Sequence, residues 1–199
     1  MFNRRTFFAN TAASMLAATV PSIASAWIPI LTPVPSTHAS QVSKLPWRIE
    51  ANAAMQTVSL YDYRSGQEAA VAAWRAAVPP AHQLPEKMIH GRVQSIVPWP
   101  TWTPTASMVA KGYAPGTIAG GQTNNPMGNC KIVVGGHFGA RHLHAFLSGT
   151  RSVYSEGCFS IENDHMLELL GHLGGDLKRP PQEALRQGIE LIFTQGQFV

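Results

Sequence analysis

Residues 154–159 read Tyr154-Ser155-Glu156-Gly157-Cys158-Phe159, which places a cysteine directly after a glycine. A thiol needs a base to become a thiolate near neutral pH, and an imidazole is the usual base. His144 lies fourteen residues before Cys158, within the sequence His142-Leu143-His144. A glycine before the thiol lets a substrate carbonyl approach the backbone amides that would hold its developing negative charge. The stretch therefore predicts a cysteine nucleophile with a nearby base.

Two other states of Cys158 remain open from the residues alone. An exported protein with two cysteines, here Cys130 and Cys158, is a candidate for one disulfide bond. The thiol could also be a buried structural group, which is the state we expect for Cys130 at the start of a predicted strand. His142 and His144, at His-x-His spacing, are alternative zinc ligands. No further Asp, Glu or His stands at a convincing second spacing, so we predict neither a metal nor another cofactor.

The N-terminus has the features of an export signal. A short basic start, Asn3-Arg4-Arg5-Thr6-Phe7-Phe8, precedes an apolar, alanine-rich run, and Ala24-Ser25-Ala26 supplies the small residues that a signal peptidase recognises. The paired arginines resemble a twin-arginine signal, with an ordinary secretory signal as the alternative. We therefore predict a signal peptide at residues 1–26 and a periplasmic protein. No later apolar run approaches membrane-spanning length, so no transmembrane segment is expected after signal removal.

Composition limits the class of the remaining chain. Residues 27–46 form a Pro/Ser-rich leader, and residues 47–199 are long enough for one domain with its own core. The full chain has a net charge of +4, and removal of Arg4 and Arg5 with the signal leaves 13 − 11 = +2. This modest charge and the lack of a Lys/Arg cluster argue against a nucleic-acid partner. With 17 glycines and 15 prolines, the chain suits a loop-rich β or α+β domain better than a helical bundle.

Hydrophobic patterning predicts several strands and two helices. Alternating or β-branched runs indicate strands at 58–63, 91–97, 131–134, 141–146 and 188–193. The alanine-rich run 68–78, which stops at two prolines, predicts a short helix. A second helix is predicted at 163–172, capped by Asn163-Asp164 and closed by Gly174-Gly175. The predicted fold class is mainly β with a few short helices, that is, a β-rich α+β domain.

Several segments, in order along the chain, resemble the L,D-transpeptidase (YkuD-like) family. Ser155-Glu156-Gly157-Cys158, followed by a leucine-rich helix, resembles the family's Ser-His-Gly-Cys signature. Asn125-Pro126-Met127-Gly128, then a strand and Leu143-His144, resembles its Asn-Pro-Leu-Gly, strand and Ile-His arrangement. Trp102-Thr103-Pro104-Thr105 with Met108 resembles its Trp-x-Pro-Thr-x-x-Met stretch. These matches span roughly residues 98–170.

The resemblance implies a β-sandwich-like catalytic domain whose substrate is the stem peptide of bacterial peptidoglycan. Cys158 would attack the carbonyl between the diamino acid at position three and the D-alanine at position four. D-alanine would leave, and either the amine of another stem would form a 3→3 crosslink or water would complete a carboxypeptidase reaction. His144 would take the thiol proton and return it to the leaving amine. The amides of Gly157 and Cys158 would form the oxyanion site, with Ser155 as a hydrogen-bonding neighbour.

Three departures from the family pattern affect these expectations. Glu156 stands where the signature has a second histidine, and a carboxylate beside a thiol raises the thiol pKa. Ser160 replaces the usual arginine, which removes a positive charge able to hold a substrate carboxylate. The residues after His144 are larger than the family's Gly-Thr, and the span from His142 to Cys158 fits the family spacing better.

Both histidines are predicted to face the same side of a strand, since they stand two residues apart. Leu143 before His144 fits the family context, so His144 is the predicted base and His142 the alternative. The departures also keep a second function open, namely a catalytically degenerate, non-enzymatic cell-wall-binding protein of the same fold.

Overall fold

The structure, a computed structural model, describes residues 45–84, 88–135, 141–147 and 157–195. The predicted signal peptide at 1–26 and the leader up to residue 44 lie outside these residues. Ser155 and Glu156 of the signature lie outside them as well.

Strands dominate the described part of the chain. The strands, in chain order, are β1 Trp47–Asn52, β2 Thr57–Asp62, β3 Ala69–Arg75, β4 Ile89–Pro98, β5 Cys130–Val134, β6 Leu143–Phe146, β7 Phe159–Glu162 and β8 Ile189–Thr194. The helices are α1 Ala106–Ala110, α2 Asn163–His172 and α3 Gln182–Gln187, with a single 3-10 turn at Ala81–Gln83. The prediction of a mainly β fold with a few short helices is confirmed for these residues. No helix among them is both long enough and apolar enough to cross a membrane.

The strands form one sheet whose order is β3-β2-β1-β8-β4-β5-β6-β7. β1 pairs with β8 and β6 with β7 in parallel, and the other neighbours are antiparallel. Ala77, just beyond β3, pairs with Ser160 of β7 through hydrogen bonds of 2.8 and 3.0 Å, so the two edges of the sheet meet. The sheet is therefore nearly closed. β7, which begins directly after Cys158, is bonded on both sides and held in place.

Strand alternation directs apolar side chains from every strand into one core. The rings of Phe159 on β7 and Phe193 on β8 stack there, with centroids 4.7 Å apart. Helix α2 adds Met166, Leu169 and Leu170, all fully buried, at the spacing of one helix face. Since α2 follows β7 without a break, the segment after Cys158 is anchored in the core.

The predicted helix at 68–78 is wrong, because residues 69–75 form strand β3. β3 pairs antiparallel with β2 along its length, and it buries Ala72 and Trp74 in the core. The Trp74 indole also donates a 2.8 Å hydrogen bond to Glu168 of α2. The helix preference of alanine is below about 1 kcal/mol per residue, and sheet pairing with burial of a tryptophan outweighs it.

The helix at 163–172 is confirmed, but its predicted cap is wrong. The N-cap position is Glu162, whose side chain makes no capping bond, and Asn163 is the first helical residue. The side-chain oxygen of Asn163 instead accepts a 2.9 Å hydrogen bond from the backbone N–H of Asn129. Asn163 therefore ties α2 to the loop that precedes β5, and that loop supports the candidate site.

Candidate functional site

The register of three strands places the candidate residues on one face of the sheet. His144 of β6 pairs with Lys131 of β5 on one side and with Ser160 of β7 on the other. Paired residues on adjacent strands direct their side chains to the same face. This face is opposite to the one that carries Leu143 and Phe159 into the core.

Cys158 and His142 lie on the same face of the sheet as His144 and Ser160, because each stands two residues earlier on its segment. His142 stands two residues before His144, and Cys158 two residues before Ser160. The Phe159 amide donates a 3.1 Å hydrogen bond to the His142 carbonyl, so the pairing of the two segments continues to this point. The strand register therefore places Cys158, His142 and His144 on one face of the sheet, near the start of β6 and β7.

The Cys158 thiol is half-buried and is not in a disulfide bond. Burial raises the pKa of this thiol above its ordinary value. Three features oppose that increase: the backbone N–H of His142 donates to the sulfur, and the positive charges of Lys131 and Arg141 favour the thiolate. The thiol is therefore neutral at neutral pH, with groups around it that stabilise the ionised form.

The backbone conformation at position 157 favours glycine, whereas the surrounding space would accommodate a larger residue. Its φ is +111°, a conformation that residues with a Cβ rarely adopt. A Cβ at this position would meet only the side-chain oxygen of Gln83, at 3.7 Å, which is an ordinary contact. The glycine thus allows the chain to turn directly into Cys158 and β7.

His144 is buried and held in one orientation. Its Nδ1 lies 2.6 Å from the carbonyl oxygen of Ala145. A carbonyl can only accept a hydrogen bond, so Nδ1 carries the proton of the neutral ring and Nε2 is the basic nitrogen. Burial lowers the pKa of His144 to about 4, with the Ala145 bond opposing the shift. His144 is therefore a neutral imidazole with an oriented acceptor nitrogen at neutral pH.

His142 lies directly across from Cys158 but is less firmly oriented. Burial first, and then the charge of Lys131, lowers the pKa of its ring. Its Nδ1 is buried and has no hydrogen-bond partner among the described residues. The strand register places His142 nearer to the thiol than His144. The ring of His144 has a fixed orientation, which favours His144 as the base.

The Asn125-Pro126-Met127-Gly128 turn supports the carbonyl that orients His144. The Asn125 side chain donates to the carbonyls of Pro100 and Ala119 at 2.8 and 3.1 Å, and its oxygen accepts from the Met127 amide at 2.8 Å. These bonds fix the turn, and they bring Gly128 against the backbone of Ala145. The sequence match found this turn but did not predict what it does.

Three residues near the thiol were not predicted from the sequence, namely Gln83, Lys131 and Arg141. The guanidinium of Arg141 donates a 3.0 Å hydrogen bond to the carbonyl of Gln83, whose side chain lies beside Gly157. Lys131 reaches the site through its pairing with His144. Arg141 could have been identified from the sequence, because it directly precedes the candidate base His142. Lys131 could not, because its position near the thiol depends on strand register.

Cys130 is a buried free thiol, as predicted. It is fully buried, and burial raises its pKa to about 12. Cys130 belongs to the core face of β5, whereas the neighbouring Lys131 shares the face of Cys158. The two sulfurs therefore lie on opposite faces of the sheet, and neither is in a disulfide bond in this structure.

A zinc site at the two histidines lacks further ligands in the described part of the chain. No group of three or more His, Cys, Asp or Glu side chains there is arranged to hold a metal ion.

Comparisons with known proteins give little guidance. No protein-family model matches the chain, and no curated protein matches it. The solved structure of Bdellovibrio bacteriovorus Bd1075 matches with 14% identity and a TM-score of 0.36, over 63% of this chain and 42% of that chain. The chain thus spans less than half the length of that protein.

Proposed function

We propose that this protein is a cysteine-dependent L,D-transpeptidase or L,D-carboxypeptidase that acts on peptidoglycan stem peptides through an acyl-enzyme. The observation that carries the proposal is that a reduced thiol, an oriented neutral imidazole and a left-handed glycine lie near the same end of two parallel strands. A nucleophile, a base and a third group that orients the base are the parts that covalent acyl transfer requires.

The first half-reaction forms a thioester. The Cys158 sulfur attacks the carbonyl carbon of the diamino acid while its proton passes to Nε2 of His144. The amides of Gly157 and Cys158 hold the developing oxyanion, and one such donor contributes about 3 kcal/mol in measured cases. His144 then gives its proton to the departing amine of D-alanine, and the C–N bond breaks.

The second half-reaction regenerates the thiol. An amine from another stem, or water, attacks the thioester carbonyl and loses a proton to His144. The C–S bond breaks and the sulfur recovers that proton, which yields a 3→3 crosslink or a shortened stem. The positive charges of Lys131 and Arg141 stabilise the anionic sulfur in both halves, because a nearby cation lowers the pKa of a thiol.

A non-enzymatic cell-wall-binding protein is the second candidate. The observation that favours it is the protonation state of the site. Burial raises the pKa of Cys158 and lowers that of His144 to about 4, so the resting pair is a neutral thiol and a neutral imidazole. Such a pair is less reactive than a thiolate–imidazolium pair.

Our proposal places the protein in the periplasm, exported by residues 1–26 through the twin-arginine route. The leader would then be residues 27–46, followed by the catalytic domain at 47–199. The finer fold assignment, a YkuD-like β-sandwich, belongs to the same proposal. It is supported by the order of the sequence matches and by the mainly β architecture.

The test is the reaction with a stem tetrapeptide that carries a diamino acid at position three and D-alanine at position four. The proposed enzyme releases D-alanine, detected by mass spectrometry, together with a tripeptide or a crosslinked dimer. Cys158→Ala should abolish the release, whereas Cys130→Ser should retain it. Binding of the peptide without release of D-alanine, in the folded and reduced protein, would support the non-enzymatic candidate instead.

A further inference from the structure

We propose that Arg141 is a specificity-determining residue that binds the free carboxylate of the terminal residue of the acyl donor. The inference rests on the proposed function and names the feature of the substrate that the same site selects. Arg141 lies outside the signature sequence, at the start of the segment that leads into β6.

The position of Arg141 follows from two contacts. Its Nη2 donates a 3.0 Å hydrogen bond to the carbonyl of Gln83. The side-chain oxygen of Gln83 is in turn the nearest atom to the position that a Cβ on Gly157 would occupy. The guanidinium therefore lies at the same end of the sheet as Cys158, and its positive charge favours the thiolate form of that residue.

The guanidinium also retains unused hydrogen-bonding capacity. Its Nε is buried and has no hydrogen-bond partner among the described residues. A buried donor without a partner costs about 1–3 kcal/mol. The planar fork of an arginine matches a carboxylate, which can accept two parallel N–H bonds. A carboxylate is therefore the ligand that this side chain would bind best.

The proposed substrate carries a carboxylate close to the bond that is cleaved. In a peptide that ends one residue after the cleaved bond, the terminal carboxylate carbon is three bonds from the attacked carbonyl carbon, within about 4 Å. The proposal places this carboxylate at the Arg141 guanidinium, which lies at the same end of the sheet as the sulfur. Ser160, where the family signature has an arginine, offers no charge for the purpose. Arg141 would thus restrict the reaction to release of a terminal residue.

The experiment uses the Cys158→Ala protein and two tetrapeptides that differ only in a C-terminal carboxylate or amide. Their dissociation constants are measured by calorimetry, with Arg141→Gln, Arg141→Lys and Lys131→Gln added to the same background. Lys131→Gln is the matched control, since it removes a positive charge near the same thiol. Thermal unfolding verifies that each variant is folded.

We expect the carboxylate peptide to bind at least tenfold more tightly than the amide, and we expect Arg141→Gln to remove this preference. Arg141→Lys should retain part of the preference for the carboxylate peptide, and Lys131→Gln should retain most of this preference. A preference that survives Arg141→Gln, an equal loss for both peptides, or no binding of either would overturn the inference. Binding is measured without chemistry, so a carboxylate preference in a protein that releases no D-alanine would contradict the proposed reaction but not the role of Arg141.

Discussion

Gly128 lies against the carbonyl group of Ala145, the group that holds the ring of His144. A Cβ on Gly128 would be 2.6 Å from the Ala145 carbonyl carbon and 2.8 Å from its oxygen, and Gly128 has a φ of +60°. The oxygen on which the ring of His144 depends is thus in direct contact with the Asn125–Gly128 turn. The proposed base is therefore supported by the Asn125–Gly128 turn, which is separate from β6 and β7 and is fixed by the side chain of Asn125.

Gly128→Ala should disturb both stability and chemistry. The added methyl collides with backbone atoms and forces a left-handed conformation on alanine, so we expect the free energy of unfolding to fall by about 1–3 kcal/mol. The rate of Cys158 acylation should fall at least tenfold, because the Ala145 carbonyl must move. Gly171→Ala is the control, since nothing lies within 4 Å of its Cβ position on helix α2. It should stabilise the protein by up to about 1 kcal/mol and leave acylation unchanged.

The two histidines should differ in their effect on acylation. His144→Gln removes the oriented acceptor, so we expect the acylation rate to fall by about 10²–10⁴-fold. His142→Gln keeps the backbone N–H that donates to the sulfur, and we expect a loss of less than tenfold. Rates from intact-protein mass spectrometry distinguish the two. The opposite order would transfer the role of the base to His142, the residue directly across from the thiol.

Stability should fall as the solution becomes acidic. His144 has a pKa of about 4 in the folded protein against 6.5 for an unperturbed histidine, so the unfolded chain binds more protons between these values. The stabilisation is complete above pH 6.5 and is lost as the pH falls to about 4, with a loss of about 3 kcal/mol. Urea titrations at several pH values measure this slope. His144→Gln should flatten it, and an unchanged slope in that variant would contradict the buried, neutral state of His144.

A buried ion pair should be important for the stability of the sheet. Arg48 of β1 is fully buried, and its Nε lies 3.2 Å from a carboxylate oxygen of Glu190 on β8. Arg48→Ala leaves that carboxylate poorly compensated, so we expect a loss of about 3 kcal/mol in urea unfolding. Arg186→Ala removes an exposed partner of Glu183 on α3 and should cost less than about 1 kcal/mol. Equal effects of the two variants would contradict the importance of the buried pair.

The sequence predicted the elements whose patterns are strong. Apolar residues at 166, 169, 170 and 173 repeat at helical spacing and Gly174 follows them, so α2 and its C-terminal end could be predicted, whereas its N-terminal cap was assigned incorrectly. β2, β4, β5 and β8 were predicted for similar reasons. β3 was predicted as a helix because alanine favours helices locally, and its sheet partners are not visible in its own sequence.

The candidate site was only partly predictable. Cys158, Gly157 and the two histidines could be named because their residue types carry the chemistry. Lys131 reaches the site because of strand register, and Ala77 pairs with Ser160 because the sheet is nearly closed. Register is set by contacts between segments far apart in the chain, so inspection of either segment alone could not reveal it. Asn163 was assigned to a cap because its type favours that position, but its side chain instead accepts a hydrogen bond from Asn129, in the loop that precedes β5.

The most direct test of the account is site-resolved acylation of the folded, reduced protein by a carbapenem. We predict one covalent adduct, located by peptide mass spectrometry at Cys158, that is absent in Cys158→Ala and retained in Cys130→Ser. The buried Cys130, with a pKa of about 12, should remain unmodified. Absence of an adduct at Cys158 under conditions where iodoacetamide alkylates that thiol would contradict the proposal that Cys158 is an acyl-accepting nucleophile.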